Sequence, residues 1–396
     1  MPTHAFEANY DFLSPHRVVF GWGRRREVGP LARSLGRRAF IVHGSRTLER
    51  SGALAELEDL LRGAGVEPVR AGSITREPEV ADVDRVALLL EAENASPADL
   101  VIGFGGGSAI DLAKAASAMA VNRRSRTVKD YLEGVGSGLT LEVDPLAVLA
   151  MPTTAGTGSE ATKNAVISNA EPPFKKSLRS DRMIPRVVIV DPELHVSVPP
   201  QTTAHTGMDA MTQLIESYVS ARRASIPQAL CLEGLALAAP SIARAVKDGG
   251  DRWARERMAH AALLSGMALA NSGLGMAHGV AAALGIHACV PHGLACAVML
   301  PTAMRTNRTV RLAETARIGE AMLGRAFLSE DAGADAAIET IESLCAEVGI
   351  PRRLRDIGVR REQLPAIVKS SYGNSMSGNP RTLSGEELAS ILEDLL

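Results

Sequence analysis

The chain has 396 residues, with 43 Lys and Arg against 45 Asp and Glu, and aromatics are scarce. That length allows two domains with separate cores. A net charge near zero gives no electrostatic case for nucleic acid or an acidic membrane surface, and no apolar run is long enough to span a bilayer.

The opening stretch, MPTHAFEANYDFLSP, has no basic start and no apolar core, so it does not read as a signal peptide. A cytoplasmic protein is expected. The first half then alternates short β-branched runs with helical patterns. Strands are predicted at 38–43 (RAFIVH), 99–103 (DLVIG), 146–151 (LAVLAM) and 187–191 (VVIVD), with helices at 52–64 and 80–94 between them. Strands separated by helices imply a parallel sheet with helices on its faces. From about Thr202 the strand signals stop. Ala/Leu-rich helical windows follow at 201–220, 226–246, 252–271, 291–304, 310–323 and 335–348. The break at Val198-Pro199-Pro200 divides the chain into an α/β nucleotide-binding domain, 1–198, and an all-α domain, 199–396. Cys231, Cys289, Cys296 and Cys345 show no CxxC spacing and read as reduced core residues.

Strand 99–103 runs into Phe104-Gly105-Gly106-Gly107-Ser108 and then a helical pattern through Asp111 and Lys114. Glycines at a strand-to-helix turn let backbone N–H groups approach a phosphate at the positive helix end. A tight structural turn is the plainer alternative. The segment MPTTAGTGSEAT follows another strand. Thr153, Thr154 and Thr157 supply hydroxyls there, and Thr157 with Glu160 fits a capping box, so a well-capped helix without a ligand is the bland reading. Two such loops at strand ends in one sheet favour a nucleotide crevice.

The window 206–220 reads as one amphipathic helix carrying a carboxylate, Asp209. The segment 277–293 offers His278 and His292 among small residues and tight turns. One Asp and two His suit Fe²⁺ or Zn²⁺ with an open coordination position. Gln213 lies four residues after Asp209 on the same face, where a fourth ligand would sit. Each of these residues taken alone is more often a satisfied core group. His205 also shares the stripe, but belongs near the helix start.

Together these segments resemble the iron-containing (group III) alcohol dehydrogenases. GGGSAIDLAK, MPTTAGTGSE, IPRVVIVDPEL, TGMDA, SGLGMAHG, VPHGLACAVMLP and NPR occur in the family's order over nearly the whole chain. The resemblance implies a dehydroquinate synthase-like fold with the active site between the two domains. It implies that Gly105, Gly106, Gly107 and Ser108 hold the cofactor pyrophosphate. Asp111, Thr153, Thr154 and Lys175, or Lys176 in an equally possible register, would contact the nicotinamide half. The family's metal takes an Asp, a His four residues on, and two further His. Asp209, His278 and His292 match the first, third and fourth; the second is Gln213. A further family histidine, four residues after the third ligand, is Ala282 here.

The implied activity is NAD(P)-dependent hydride transfer between nicotinamide and a small alcohol or aldehyde, assisted by Fe²⁺ or Zn²⁺, in a homodimer or larger homo-oligomer. A metal-independent reductase of the maleylacetate reductase type is the alternative. A dehydroquinate-synthase-like lyase would need Lys and Arg converging on a substrate phosphate, which the metal segments lack. NAD-preferring relatives often place an Asp after the second strand. Here the residues are Gly44, Ser45 and Arg46: Gly44 leaves room, and Ser45 and Arg46 can donate to a 2′-phosphate, favouring NADP(H) over NAD(H). A plain capped turn is the competing reading of those three residues.

Overall fold

The computed structural model describes residues 9–44 and 46–396. Six strands form one sheet: β1 (Arg17–Phe20), β2 (Arg38–His43), β3 (Glu67–Ser73), β4 (Leu100–Gly105), β5 (Ala147–Pro152) and β8 (Val187–Val190), in the order β1-β8-β5-β4-β2-β3. Every pairing in it is parallel. Between β5 and β8 a separate antiparallel hairpin is made by β6 (Asn164–Asn169) and β7 (Phe174–Arg179).

The four predicted strands are the central ones, apolar along their length because both faces are covered. On one face Ala39, Ile41, Leu100, Ile102 and Phe104 pack with α1 (Val28–Leu35) and α3 (Ala53–Gly63), near the short α2 (Arg46–Arg50). On the other, Phe40, Val42 and Val101 pack with α4 (Val80–Ala92), α5 (Gly107–Met119) and the hairpin. Phe40 is fully buried, worth about 1.5–3 kcal/mol for a side chain of that size.

From Pro200 onward the described chain is helical. The elements are α6 (Pro200–Val219), α7 (Ser225–Ala238), α8 (Ile242–Lys247), α9 (Arg252–Ala270), α10 (Met276–Ala288), α11 (His292–Arg308), α12 (Leu312–Leu323), α13 (Glu330–Glu347), α14 (Leu364–Ser371) and α15 (Gly385–Leu395). The single window predicted at 226–246 is two helices, broken around Pro240, whose ring cannot continue the α-helical hydrogen bonding. The turns expected around His278 are instead the start of α10. The helical core joins the sheet where Ala259 and Leu263 of α9 meet Ala150, Val188 and Val190. Among the described residues no helix is long and apolar enough to cross a membrane.

Candidate active site

The sheet order reverses beside β2: the chain goes from β2 out to β3, then returns to β4 on the other side. In doubly wound sheets the ligand crevice lies outside the carboxyl ends of the strands at such a reversal. Gly44 follows β2 there, and Gly105 to Gly107 close β4 and open α5. Gly44 N–H donates to the Phe104 carbonyl at 2.8 Å. A Cβ on Gly44 would come within 3.1 Å of Gly105 Cα, and one on Gly105, whose φ is +158°, within 2.8 Å of Gly44 N. Close backbone packing therefore requires glycine at 105 and leaves little room for a side chain at 44. Gly106 caps α5 without any side-chain bond, which leaves the first helical N–H groups, with Ser108 in that turn, open to a phosphate. Arg46 is exposed at the start of α2, while Ser45 lies outside the described residues.

The threonine loop covers this turn. Thr153 N–H donates to the Gly105 carbonyl at 2.9 Å. Thr154 Oγ1 lies 3.4 Å from where a Gly106 Cβ would be, and Thr157 Oγ1 lies 2.5 Å from a Gly107 Cβ. The capped helix suggested by Thr157 and Glu160 is only a 3₁₀ turn, Ser159–Ala161, with Gly158 at its cap. The loop packs closely on two helices: a Cβ on Gly158 would fall 2.4 Å from Gly266 Cα in α9, and one on Gly156 would fall 2.6 Å from Thr206 Cβ in α6. Thr206 precedes Asp209 by one turn, so the loop links the glycine turn to the carboxylate helix.

Asp111, expected beside the cofactor, directs both oxygens to the protein. It accepts from Val166 N at 2.9 Å and from the Ser159 hydroxyl, with Lys114 Nζ 3.6 Å away. Lys114 is fully buried and donates to Ser159 O and Thr162 Oγ1, each at 2.9 Å. Burial lowers the Lys114 ammonium to about 8, although Asp111 and Glu160 pull the other way. This pair ties α5 to the threonine loop and hairpin.

Asp209, Gln213 and Glu216 lie on one stripe of α6, at the i, i+4, i+7 spacing of a helix face. Helix α10 starts against that stripe. Glu216 accepts from Gly275 N at 3.0 Å, from Ala277 N at 2.6 Å and from His278 Nδ1 at 2.7 Å. Asn379, in the NPR segment, accepts from Met276 N at 3.1 Å. The start of α10 is thus capped by side chains from two distant segments. With Nδ1–H given to Glu216, a neutral His278 ring carries its lone pair on Nε2, toward Asp209.

His278 Nε2 lies 3.3 Å from Asp209 Oδ1, and His292 Nε2 lies 4.0 Å from the same oxygen. The first two atoms are buried and neither has an aligned hydrogen-bond partner. Such orphaned polar atoms are costly unless a ligand meets them. The fourth member of the group is Cys296, whose Sγ is 3.7 Å from His292 Nε2. One donor atom each of Asp209, His278, His292 and Cys296 lies within 4.8 Å of every other. Burial alone would raise the Asp209 carboxyl, but His278 and His292 hold it below the usual carboxylate range. Against the cost of burial, Cys296, Asp209 and Glu216 hold His278 well above the ordinary histidine value.

Gln213 is on the expected face, but its side-chain oxygen accepts from Ser265 of α9 at 2.8 Å. Lys175 pairs with Glu77 and, after desolvation, is the next cause pushing His292 down to about 4. Lys176, next along β7, belongs to the opposite face. Ala282 offers no proton one turn beyond His278. Two parts of this site were missed in the sequence. Glu216 follows Asp209 by two turns, a readable signal. Cys296 stands four residues after His292, the same spacing that singled out Gln213. The reading of four core cysteines also needs correction at Cys289, which is exposed at the end of α10 because the chain turns there at a φ of +54°.

The model of iron-containing alcohol dehydrogenases matches residues 15–192, and that of the family's C-terminal region matches 203–396. This chain belongs to the iron-containing alcohol dehydrogenase family. It is an oxidoreductase of CH–OH groups, with the alcohol dehydrogenase and aldehyde reductase activity of that family. Long-chain-alcohol dehydrogenase 1 of Geobacillus thermodenitrificans is 34% identical over 96% of this chain and 97% of its own. The NAD-dependent methanol dehydrogenase of Bacillus methanolicus is 32% identical over 98% and 100%. A crystal structure of a 1,3-propanediol oxidoreductase superposes with a TM-score of 0.91 at 32% identity, covering 98% of this chain and all of that one. The dehydroquinate synthase-like architecture of the family is the one described above.

Proposed function

We propose that this dehydrogenase binds its nicotinamide cofactor in the crevice between β2 and β4, and a divalent ion, Fe²⁺ or Zn²⁺, on Asp209, His278 and His292. The observation that carries the reading is the buried convergence of Asp209 Oδ1 and His278 Nε2, 3.3 Å apart without an aligned hydrogen bond, with donor atoms of His292 and Cys296 within 4.8 Å. An ion there supplies Lewis-acid polarisation of a substrate oxygen. The chain's own part is positional. Glu216 fixes the His278 tautomer and aims its Nε2, while burial and Lys175 keep His292 neutral. The N–H groups of Gly107 and Ser108 hold the pyrophosphate, and Thr153, Thr154 and Thr157 line the path from it to Asp209. Lys175 faces the nicotinamide half. Asp111 positions the threonine loop through Ser159.

The cofactor is NADP(H) in preference to NAD(H), supported by the lack of a carboxylate after β2 before Glu49 and by the exposed Arg46. The Bacillus methanolicus relative is by name NAD-dependent, so this is a property of residues 44–46 rather than of the family. The substrate is a small alcohol or aldehyde. The division at 198/199, a cytoplasmic location and assembly as a homodimer or larger homo-oligomer belong to the same reading, supported by the family likeness. Metal analysis of the purified protein, with NADPH and NADH oxidation over a panel of aldehydes, tests it. Metal lost in His278→Ala together with aldehyde reduction is expected. A metal-free protein that reduces aldehydes as fast after His278→Ala as before would place it with the metal-independent reductases.

A further inference from the structure

We infer that Cys296, through its Sγ, is the fourth protein ligand of the ion, giving an Asp-His-His-Cys site in place of the set completed by residue 213. The inference rests on the metal-binding reading above and names which atom completes that site. With four protein ligands at about 2.0–2.3 Å in a near-tetrahedral arrangement, donors stand about 3.3–3.8 Å apart, and a substrate oxygen would enter as a fifth ligand. The Cys296 Sγ to His292 Nε2 separation is 3.7 Å and the His278 Nε2 to Asp209 Oδ1 separation is 3.3 Å. All four donors lie within 4.8 Å of one another, so a small inward movement closes the set.

The elements explain why this residue can reach. His292 and Cys296 are one turn apart on α11, so their side chains leave the same face of one helix. That face meets Asp209 on α6 and His278 on α10, whose Oδ1 and Nε2 are among the buried atoms that make no aligned hydrogen bond. Cys296 is itself fully buried, without the solvent contact that would give it another use. Gln213 is held by Ser265 on the neighbouring helix α9. With Gln213 so held, the fourth donor comes from α11 rather than from α6. Binding replaces the thiol proton by the ion and releases that proton to solvent, with no change of oxidation state. A thiolate is a soft donor that suits Zn²⁺ better than a site of oxygen and nitrogen alone, so this member favours Zn²⁺ over Fe²⁺.

The test uses the full chain carrying Cys289→Ser, which removes the exposed thiol. Protein stripped by a chelator is titrated with Co²⁺ alone and followed by absorption. One equivalent of Co²⁺ with an intense near-ultraviolet sulfur-to-cobalt band is expected. Adding Cys296→Ser should abolish the band and weaken Co²⁺ binding by about ten-fold to a hundred-fold, while Gln213→Ala should keep the band. Co²⁺ bound without a sulfur band in the parent overturns the Cys296 assignment and leaves the metal reading standing. Loss of the Co²⁺ spectrum in Gln213→Ala with its retention in Cys296→Ser assigns the fourth ligand to Gln213. No Co²⁺ bound at all overturns the metal reading itself. The parent spectrum decides the matter even if Cys296→Ser does not fold.

Discussion

The Glu216 carboxylate accepts the Nδ1–H of His278 at 2.7 Å and also takes the Ala277 N–H at 2.6 Å. One buried side chain thus both caps α10 and selects the imidazole nitrogen that faces Asp209. Outer carboxylates of this kind raise ligand basicity and fix ring orientation. Glu216→Gln should lower Zn²⁺ affinity about 10–100-fold, read by competition with a chelating dye. The same substitution should cost on the order of 1–3 kcal/mol of stability, because a buried N–H loses an acceptor. Unchanged affinity with lowered stability would make Glu216 a helix cap only.

Gly106 and Gly107, in the turn between β4 and α5, should behave differently. A Cβ on Gly106 meets Thr154 Oγ1 at 3.4 Å, an ordinary contact, whereas one on Gly107 meets Thr157 Oγ1 at 2.5 Å. Gly106→Asp is expected to keep the parent melting temperature while abolishing cofactor binding, since its carboxylate repels the pyrophosphate. Gly107→Val should lose both, with an overpacking cost of about 1–3 kcal/mol. Circular dichroism melting beside nicotinamide fluorescence separates the two. Normal cofactor binding by a folded Gly106→Asp would reduce the loop to a turn.

Cofactor choice is tested at Arg46, exposed at the start of α2. Arg46→Ala should raise the NADPH dissociation constant about ten-fold to a hundred-fold, the effect of losing one charge-assisted contact of about 1.5–3 kcal/mol, and leave NADH binding unchanged. Tighter NADH than NADPH binding in the parent protein would rule out the preference.

Burial pushes the Glu160 carboxyl from 4.5 up to about 7. Its folded value lies above its unfolded one, so between those values the folded state holds a proton that the unfolded chain has released. Stability from this group is present below pH 4.5 and is lost as pH rises toward 7, on the order of 1–3 kcal/mol in all. Glu160→Gln should flatten that part of the curve of melting temperature against pH. A slope equal to the parent's would assign the dependence to other groups.

The amino-acid order alone carried the central strands, because β2, β4, β5 and β8 are buried on both faces and read as unbroken apolar runs. It also carried most of the long helices, whose 3.6-residue period is local. The edge strands were not legible: β1 is four residues long, and β3 holds Pro68 and Gly72. The hairpin was hidden too, because Lys175, Lys176 and Arg179 interrupt its pattern. Asp209, His278 and His292 could be picked out by residue type and by likeness to a family. The roles of Cys296 and Glu216 were decided by tertiary structure. In sequence Cys296 sits in an apolar run, Leu-Ala-Cys-Ala-Val, with the pattern of any core residue. It becomes a candidate ligand only because α11 begins where α6 and α10 already present Asp209 and His278. That convergence is set by packing between helices far apart in the chain, and no local periodicity encodes it.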